Sequence, residues 1–502
     1  MNKQLKKPRF LIALCIGASG AGHAEVTVVP RVSVAETITD NVRLSSTDRQ
    51  SEQITQLSPG IRIDIKGSRV RSYFDYALTQ SFYAQNTSPS RAQNTLSTFG
   101  TLEAVDNRVF LDFNGSISQQ SVSAFGTQSL NSSSINANQA EVSTYRLSPY
   151  VRGQLGSTAS YEARYSRAVT SSDSASASAS NTTNSDATVK VAGGSAFRRL
   201  GWSADASRQE SSYSVGRTTE VDRFNLGLNY ALTPQLNVSV NGGQESNNYT
   251  SLDKQTYGTS SVGFNWVPSN TTKLSANVGR RSFGNTHSLS FEHRTARTVW
   301  RFVDSKDAST TPSQSGRVGL GNLYDLLYSQ LESTYPADPV ARAQAVNDFL
   351  AAYGLNGSSL VAAGFLSSAA SLQRNQSLSL ALLGARDTIT FFATSTESSR
   401  IDALSIASDD LSTSSRVRQR GFSVSYSHRL TPDYSLGVLL SQQKTSGDLA
   451  SQDSTLRSIN ANITGRVGKK ATVSVAARHV VSSGNAAPYV ENAITGNLNV
   501  QF

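Results

Sequence analysis

The chain has 502 residues, a formal net charge of +10, 8% aromatic residues and one cysteine. A single cysteine excludes a disulfide framework, and the dispersed basic residues argue against nucleic acid as a partner. The mean hydropathy is −0.31 and no apolar run approaches roughly 18–20 residues, which excludes a bundle of membrane-spanning helices.

The first 24 residues have the three parts of a secretory signal peptide. Four basic residues precede the apolar core: Lys3, Lys6, Lys7 and Arg9. The core is 10–16 (FLIALCI), and the small residues that follow place cleavage between Ala24 and Glu25. Cys15 lies inside this segment, after Leu14 where a lipoprotein signal needs a small residue. We therefore predict export of a cysteine-free chain into an oxidising compartment.

Apolar and polar residues alternate with a period of two along nearly the whole remaining chain. The pattern is clear in 61–66 (IRIDIK), 224–232 (FNLGLNYAL) and 236–241 (LNVSVN). The second face carries Arg, Asp, Asn, Ser and Gly, which suits water, whereas a soluble β-sandwich needs apolar inner faces. We therefore predict an all-β fold, a transmembrane antiparallel β-barrel in which lipid-facing and lumen-facing residues alternate.

The last predicted strand ends on an aromatic residue. Phe502 shares one face with Val500, Leu498 and Ile494, and polar residues take the other face. This ending resembles the signal by which the barrel-assembly machinery recognises outer-membrane barrels. We therefore predict a location in the outer membrane, with outer-membrane lipid around the barrel.

Short turns alternate with longer polar connections, as is usual in such barrels. Long connections are predicted near 43–53, 84–94, 119–140, 170–187, 213–220 and 401–415. The spacing gives about 18–22 strands in two parts, 25–303 and 374–502, and the tally comes out odd between 286 and 384. Short turns belong to the periplasmic side and long loops to the outside.

Between the two parts, residues 304–373 shift toward a helical period of 3.6. Apolar residues form one face of each of two short helices: Leu320, Leu323, Leu327 and Leu331 in the first, and Val346, Phe349, Leu350 and Tyr353 in the second. Asp338 before Pro339 predicts a helix start, and Gly354 predicts a stop. We expect this helical insert to form a cap, plug or gate, or to pack on its own hairpin.

Five arginines fall on the predicted polar faces and are candidates for lining the lumen: Arg62, Arg69, Arg71, Arg294 and Arg429. Removal of the signal peptide lowers the net charge of +10 by four, so the mature chain stays positive. A lumen lined by arginines favours anionic solutes. Asp64, Asp75 and Asp112 also fall on polar faces, so the alternative is that interior ion pairs neutralise one another.

No catalytic or metal-binding arrangement is evident in the sequence. The histidines after the signal peptide are His287, His293, His428 and His479. No pair has zinc-ligand spacing, and the nucleophile-elbow and phosphate-loop motifs are missing. We predict no enzyme activity, cofactor or metal, and we interpret the pairs His293-Arg294 and His428-Arg429 as interior polar residues.

Several segments resemble the family of outer-membrane barrels associated with PEP-CTERM protein sorting and exopolysaccharide gene clusters. They are 30–42 (PRVSVAETITDNV), 58–63 (SPGIRI), 106–112 (DNRVFLD), 147–153 (LSPYVRG), 266–274 (WVPSNTTKL), 279–284 (GRRSFG), 293–300 (HRTARTVW), 382–386 (LLGAR), 427–437 (SHRLTPDYSLG) and 489–494 (YVENAI). The resemblance spans essentially the whole mature chain and supplies no catalytic residue. Because the chain ends in a barrel strand, the resemblance implies a component of the sorting system and not a sorted substrate.

Two functions are compatible with these observations. The first is a channel through which an extracellular polysaccharide leaves the cell, with an anionic polysaccharide and periplasmic export components as partners; a small-solute porin is a variant. The second is a non-conducting barrel that organises assembly of the cell envelope. About twenty strands leave room for an aqueous lumen, which the helical insert would close at rest.

Overall fold

The computed structural model describes residues 24–173, 181–193, 199–309, 342, 346, 365–367, 369–402, 404, 409–484 and 488–502. Twenty-two antiparallel strands form one closed sheet, in which each strand pairs with its neighbours in sequence and the first pairs with the last. The predicted all-β barrel is confirmed, and its strand number is at the upper end of the predicted range.

The strands are β1 (Glu25–Thr39), β2 (Glu52–Lys66), β3 (Val70–Tyr83), β4 (Arg91–Val105), β5 (Val109–Ser121), β6 (Gln139–Leu155), β7 (Ala159–Ser172), β8 (Thr182–Gly193), β9 (Leu200–Tyr213), β10 (Thr219–Thr233), β11 (Leu236–Asn247), β12 (Gln255–Ser269), β13 (Thr272–Arg281), β14 (Gly284–Arg294), β15 (Thr298–Ser309), β16 (Ser371–Leu383), β17 (Asp387–Arg400), β18 (Arg416–Arg429), β19 (Tyr434–Ser446), β20 (Ser454–Val467), β21 (Ala471–Gly484) and β22 (Tyr489–Gln501). The described connections contain one complete turn of α-helix, α1 (Asp410–Thr413), one 3-10 turn, Ala450–Gln452, and the helical residues Arg342 and Val346. Among the described residues, no helix is long and apolar enough to cross a membrane.

Large apolar side chains point outward around the barrel. On β10, Leu226 and Leu228 are 54% and 57% exposed. The chain's three tryptophans, Trp202, Trp266 and Trp300, also point outward, each close to a short turn. An apolar outer band edged by aromatic residues is the surface that a bilayer covers.

The barrel closes between its two terminal strands. Residues 31–39 of β1 pair with residues 493–501 of β22, so that Val34 lies opposite Leu498. The backbone N–H of Phe502 donates to the carbonyl of Pro30 at 2.9 Å, and the Phe502 side chain is 63% exposed on the outer surface. Phe502 and Leu498 thus point outward, as the alternation predicted.

The two ends of the barrel differ in their connections. The end near Glu25 and Phe502 has short turns, in which Asn107 and Gly468 adopt positive φ angles of 56° and 71° that tight turns require. We call it the short-turn end. The other, long-loop end carries connections such as 40–51 and 122–138. Because periplasmic turns are the short ones, the long-loop end faces the outside.

The predicted bounds of the helical insert are wrong on both sides. Residues 304–309 complete β15, and 371–373 begin β16. Of the intervening segment, Arg342 and Val346 are helical and buried, and the rest of the two predicted helices lies outside the described residues. Both flanking strands attach the segment to the long-loop end.

One connection at the long-loop end is unusually short, and it lies just before the region in which the strand tally is odd. Strands β13 and β14 are joined by only two residues, Ser282 and Phe283, at the end where other connections are long. A two-residue connection in this position interrupts the regular alternation of short and long connections on which the tally depended.

Candidate functional site

The inner wall of the barrel is polar, and ion pairs join many of its charged side chains. Glu245 on β11 has a fully buried side chain. Arg281 Nε on β13 donates to Glu245 Oε2 at 2.7 Å, and Arg223 Nε on β10 lies 3.3 Å from the same oxygen. Arg281 also pairs with Asp307 on β15. Buried charges need such partners because an isolated one carries a large desolvation cost.

A cavity of about 240 Å³ opens beside this ion-pair network. Arg146, Arg223 and Arg281 line it together with Asp186 and Asp307 and several uncharged polar residues. Carboxylates stand among the cations throughout this lining. This part of the wall therefore favours the alternative of interior ion pairs over a strongly anion-selective lumen.

The structure does not bring the five candidate arginines together. Arg62 Nε lies 3.2 Å from Asp64 Oδ2 on β2, and Arg69 pairs with Asp106 between neighbouring short turns at 2.5 Å. The other three lie on inward faces of different strands near the short-turn end: Arg71 on β3, Arg294 on β14 and Arg429 on β18. They are spread around the ring and do not form one site.

The interpretation of the two His-Arg pairs as interior residues is wrong for the histidines. Successive residues of a strand face opposite sides, and here His293 and His428 take the outer face. His428 Nδ1 lies 2.6 Å from Asp387 Oδ1, and His293 Nδ1 lies 2.9 Å from Thr272 Oγ1. In the part of the chain that the structure describes, no group of three or more His, Cys, Asp or Glu residues is placed to hold a metal ion.

An aromatic cluster stiffens the wall at the short-turn end. The rings of Phe110 on β5 and Tyr150 on β6 stack with centroids 5.0 Å apart. The guanidinium of Arg152 covers Phe110 at 4.2 Å, and that of Arg164 covers Tyr150 at 3.8 Å. Cation–π contacts of this kind stabilise the wall, and they cover the ring faces that a solute would otherwise contact.

Two loops from opposite sides of the barrel meet at the long-loop end. The β5–β6 loop comprises residues 122–138, and the β17–β18 loop is described at 401–402, 404 and 409–415. From β5 to β17 is twelve strands in a ring of twenty-two. The loops therefore start on nearly opposite sides and reach each other across the barrel mouth.

Asp410 is the junction of the two loops. Ser123 Oγ donates to Asp410 Oδ1 at 2.7 Å, and the backbone N–H of Ala124 donates to Oδ2 at 2.5 Å. Burial raises the pKa of Asp410 above its ordinary value of 3.8; the hydrogen bonds from Ser123 and Ala124 oppose the shift, and the charge of Asp409 adds to it. The two donors offset part of the cost of burying this carboxyl group and tie both loops to one side chain.

Apolar contacts surround this junction. Ala124 of the β5–β6 loop packs with Phe365, with Leu411 of α1 and with Val417 of β18. The backbone N–H of Leu366 donates to the carbonyl of residue 122 at 3.3 Å. The described residues that precede β16 thus join the same contact.

The β5–β6 loop lies inside the mouth, against inward-facing residues of other strands. Ile135 packs against a cluster formed by Val42, Ile54 and Tyr83. Farther along the ring, Tyr489 Oη on β22 donates to the carbonyl of Gln128 at 2.6 Å. Both anchors lie on the β5 side of the hairpin, at β2–β3 and at β22, and between them the loop covers part of the lumen.

A second contact crosses the mouth from the β9–β10 loop. Arg217 Nε lies 2.9 Å from Asp402 Oδ1 and 3.0 Å from Oδ2, and the Asp402 side chain is only 1% exposed. From β9 to β17 is eight strands. Arg217 also donates to the carbonyls of Tyr249 and Ser251, so the guanidinium ties three loops together.

The residues of the mouth were not among the sequence candidates. Asp410 and Asp402 lie in a connection that was predicted only as a long polar loop, and Ser123 lies in another. The sequence contains a weak signal of burial, because loops that stay in water are mostly polar, whereas these two contain apolar residues such as Leu411 and Ile135. Their partners are far away in sequence, so no local pattern identifies the contacts.

Comparisons with known proteins relate the chain to solved barrels only. No family model and no curated protein matches the sequence. The FrpB iron transporter from Neisseria meningitidis, in an apoprotein form, matches with a TM-score of 0.50 and 10% identity over 94% of this chain and 81% of that chain. The siderophore receptor PirA from Acinetobacter baumannii matches with a TM-score of 0.49 and 9% identity over 95% of this chain and 81% of that chain. Identities this low show a similar fold and nothing about ligands.

The closed ring, its apolar outer band with aromatic edge, and its paired polar interior define the class of the protein. The chain is a 22-stranded outer-membrane β-barrel.

Proposed function

We propose that the chain is a gated outer-membrane channel for the export of an extracellular polysaccharide, as part of an envelope system of the PEP-CTERM and exopolysaccharide type. The observation that carries the proposal is the junction of Asp410 with Ser123 and Ala124 across the mouth. Barrels of 16–18 strands already leave an aqueous channel, so a ring of twenty-two needs an added element to close it. The two loops supply that element through breakable, non-covalent contacts.

The inner wall suits a chain rich in hydroxyl groups. A second cavity of about 260 Å³ borders the ion-pair network of Glu245, and beside the charged residues its lining includes amide and hydroxyl side chains: Asn225, Asn241, Thr259 and Ser261 among them. Such groups exchange hydrogen bonds with a sugar polymer without fixing it in place, and passage requires weak, repeated binding. The choice of a polysaccharide also depends on the sequence segments that resemble barrels linked to exopolysaccharide gene clusters.

The test uses the cysteine-free mature chain. Two cysteines replace Ser123 and Asp410, and a short thiol cross-linker joins them. We expect the double variant to conduct ions in planar bilayers before cross-linking and to conduct much less after it, whereas each single-cysteine variant is insensitive to the reagent. In cells that depend on this barrel, cross-linking should also stop the appearance of new polymer at the surface. Continued export with the loops locked would disprove the polymer channel, even if ion conductance responds.

The paired charges and inserted loops also favour a second candidate, a non-conducting barrel that organises envelope assembly. Under that alternative, the uncross-linked double variant stays silent in bilayers, and deletion of the whole barrel leaves polymer export intact. A small-solute porin gives a third result, in which conductance responds to the cross-linker and export does not.

A further inference from the structure

Three unpaired cations stand side by side on the outer surface of β18, β19 and β20. The register places Arg420 on β18 directly opposite Lys444 on β19. Arg457 on β20 lies opposite Gln442, one diagonal step from Lys444. All three side chains are exposed, and within the described part of the chain none has a carboxylate partner.

The outward orientation of these cations follows from their neighbours. In the same alternation, the next residues toward the short-turn end are Phe422 on β18 and Ile459 on β20, and on β19 Leu440 follows Gln442. Phe422, Ile459 and Leu440 are 53%, 43% and 45% exposed and belong to the lipid-facing band. The cations therefore border hydrocarbon and do not face the lumen.

The depth of the cations matches the headgroups of the outer leaflet. Lys444 lies ten residues along β19 from Tyr434, an outward aromatic residue at the short-turn end. At about 3.3 Å per residue and a tilt of roughly 40°, ten residues rise about 25 Å, the height of the apolar band. The cations thus stand at the far edge of that band, toward the outside.

Neighbouring cations on the same surface are neutralised within the protein. Arg374 Nη2 lies 2.7 Å from Asp304 Oδ2, and Arg418 Nη2 lies 2.9 Å from Glu397 Oε2. On the other side of the barrel, Lys254 pairs with both Glu220 and Asp222. The three unpaired cations are thus set apart from other charges at this level.

Like charges directly opposite each other on neighbouring strands destabilise a sheet, and the adjacent hydrocarbon strengthens their repulsion. An anion bridging Arg420 and Lys444 would remove this cost. Arginine binds phosphate through two parallel hydrogen bonds, and lysine binds it as a compact charge. We propose that Arg420, Lys444 and Arg457 form a binding site for the phosphate-bearing headgroup of an outer-leaflet glycolipid.

The experiment compares two double variants in which one arginine and one lysine become serine. Arg420→Ser with Lys444→Ser removes the site, and Arg208→Ser with Lys254→Ser makes the same change of charge on the opposite side of the barrel. Each protein is purified from outer membranes in mild detergent, and retained bis-phosphorylated glycolipid is counted by native mass spectrometry. We expect the wild type and the control variant to retain the lipid. In the site variant, lipid occupancy should fall at least about tenfold, which is the effect of losing one charge-assisted contact.

Two further arms identify the ligand. Dephosphorylated glycolipid should not be retained, and millimolar inorganic phosphate should not displace the intact lipid. The proposal would be overturned if the site variant retained as much lipid as the wild type, or if the wild type retained the dephosphorylated glycolipid. Displacement of the lipid by inorganic phosphate would assign the site to a free anion. Should the double variant fold poorly, Arg420→Glu replaces the repulsion with an ion pair to Lys444, so the barrel folds and the lipid should still be lost.

Discussion

Ser123 and Asp410 are 287 positions apart in sequence, yet the hydroxyl of one donates to the carboxylate of the other at 2.7 Å. The bond joins hairpins that begin on nearly opposite sides of a 22-stranded ring. A contact of this kind holds two loops against each other over the mouth without constraining the strands beneath. In the proposed gate, closure of the mouth would therefore depend on a few identifiable groups.

Replacement of Asp410 by alanine should open the mouth. The variant loses two hydrogen bonds to a buried carboxylate, each worth about 1.5–3 kcal/mol, and it leaves the Ala124 N–H without its acceptor. We expect the probability of the open state in planar bilayers to rise at least about tenfold, which corresponds to roughly 1.4 kcal/mol. Asp410→Asn is the matched control, because its amide can still accept from Ala124. Equal behaviour of the two variants would contradict the assigned role.

Closure of the mouth should depend on pH through the same carboxyl group. Burial raises the pKa of Asp410 above 3.8 when the loops are docked, so the closed state binds the proton more tightly than the open state does. This stabilisation is complete below the ordinary pKa and is lost as the pH rises through the raised pKa. Conductance should accordingly be lowest below pH 3.8 and increase as the pH rises above it. An unchanged profile in Asp410→Asn would assign the pH dependence to another group.

The bridge between Arg217 and Asp402 should show strong coupling. Arg217→Ala leaves the Asp402 carboxylate buried and unpaired, and removal of one partner of a buried pair costs about 3–5 kcal/mol. Arg217→Ala combined with Asp402→Ala removes both charges and should cost less than the single change. Hydrogen exchange at residues 401–402 and 409–415 measures the effect. Additive losses in the two single variants would show that the pair is not coupled.

Removal of the Phe502 side chain should impair assembly more than stability. The ring is exposed on the outer surface, whereas the backbone N–H that bonds to Pro30 is kept in Phe502→Ala. We expect a severalfold lower amount of folded barrel in cells and unchanged refolding of the purified chain into detergent. Leu498→Ala, on the same face, serves as a comparison for simple loss of lipid contact. A parallel loss in both settings would mean that Phe502 acts through stability.

The strands could be predicted from the sequence because each carries its own signal. The alternation along 224–232 predicts that Leu226 faces lipid and Asn225 faces the barrel interior, and this prediction does not depend on the rest of the chain. The ends of β15 and β16 were harder to predict from alternation, since 304–309 (DSKDAS) has charged residues on both faces. These residues lie above the apolar band, where a strand no longer alternates between lipid and lumen, so the predicted helical insert began too early.

The mouth could not be predicted, because its contacts depend on distance in space and not on local pattern. The β5–β6 loop reads as a run of small polar residues, and nothing near Ser123 indicates that Asp410 is its partner. The His-Arg pairs were a different kind of error. Period two already requires that His428 and Arg429 face opposite sides, so the sequence contained the answer.

The pairing of β1 with β22 has a consequence for biogenesis. Residues 31–39 cannot pair with residues 493–501 until both segments have been secreted. Because this pairing closes the longest loop of the barrel, it has the largest loop-closure entropy cost and forms late. Until then, the nascent sheet has two open edges, which are templates for pairing with other chains. A chain of this length therefore needs protection from aggregation in the periplasm, and the pairing of β22 with β1 ends that exposure.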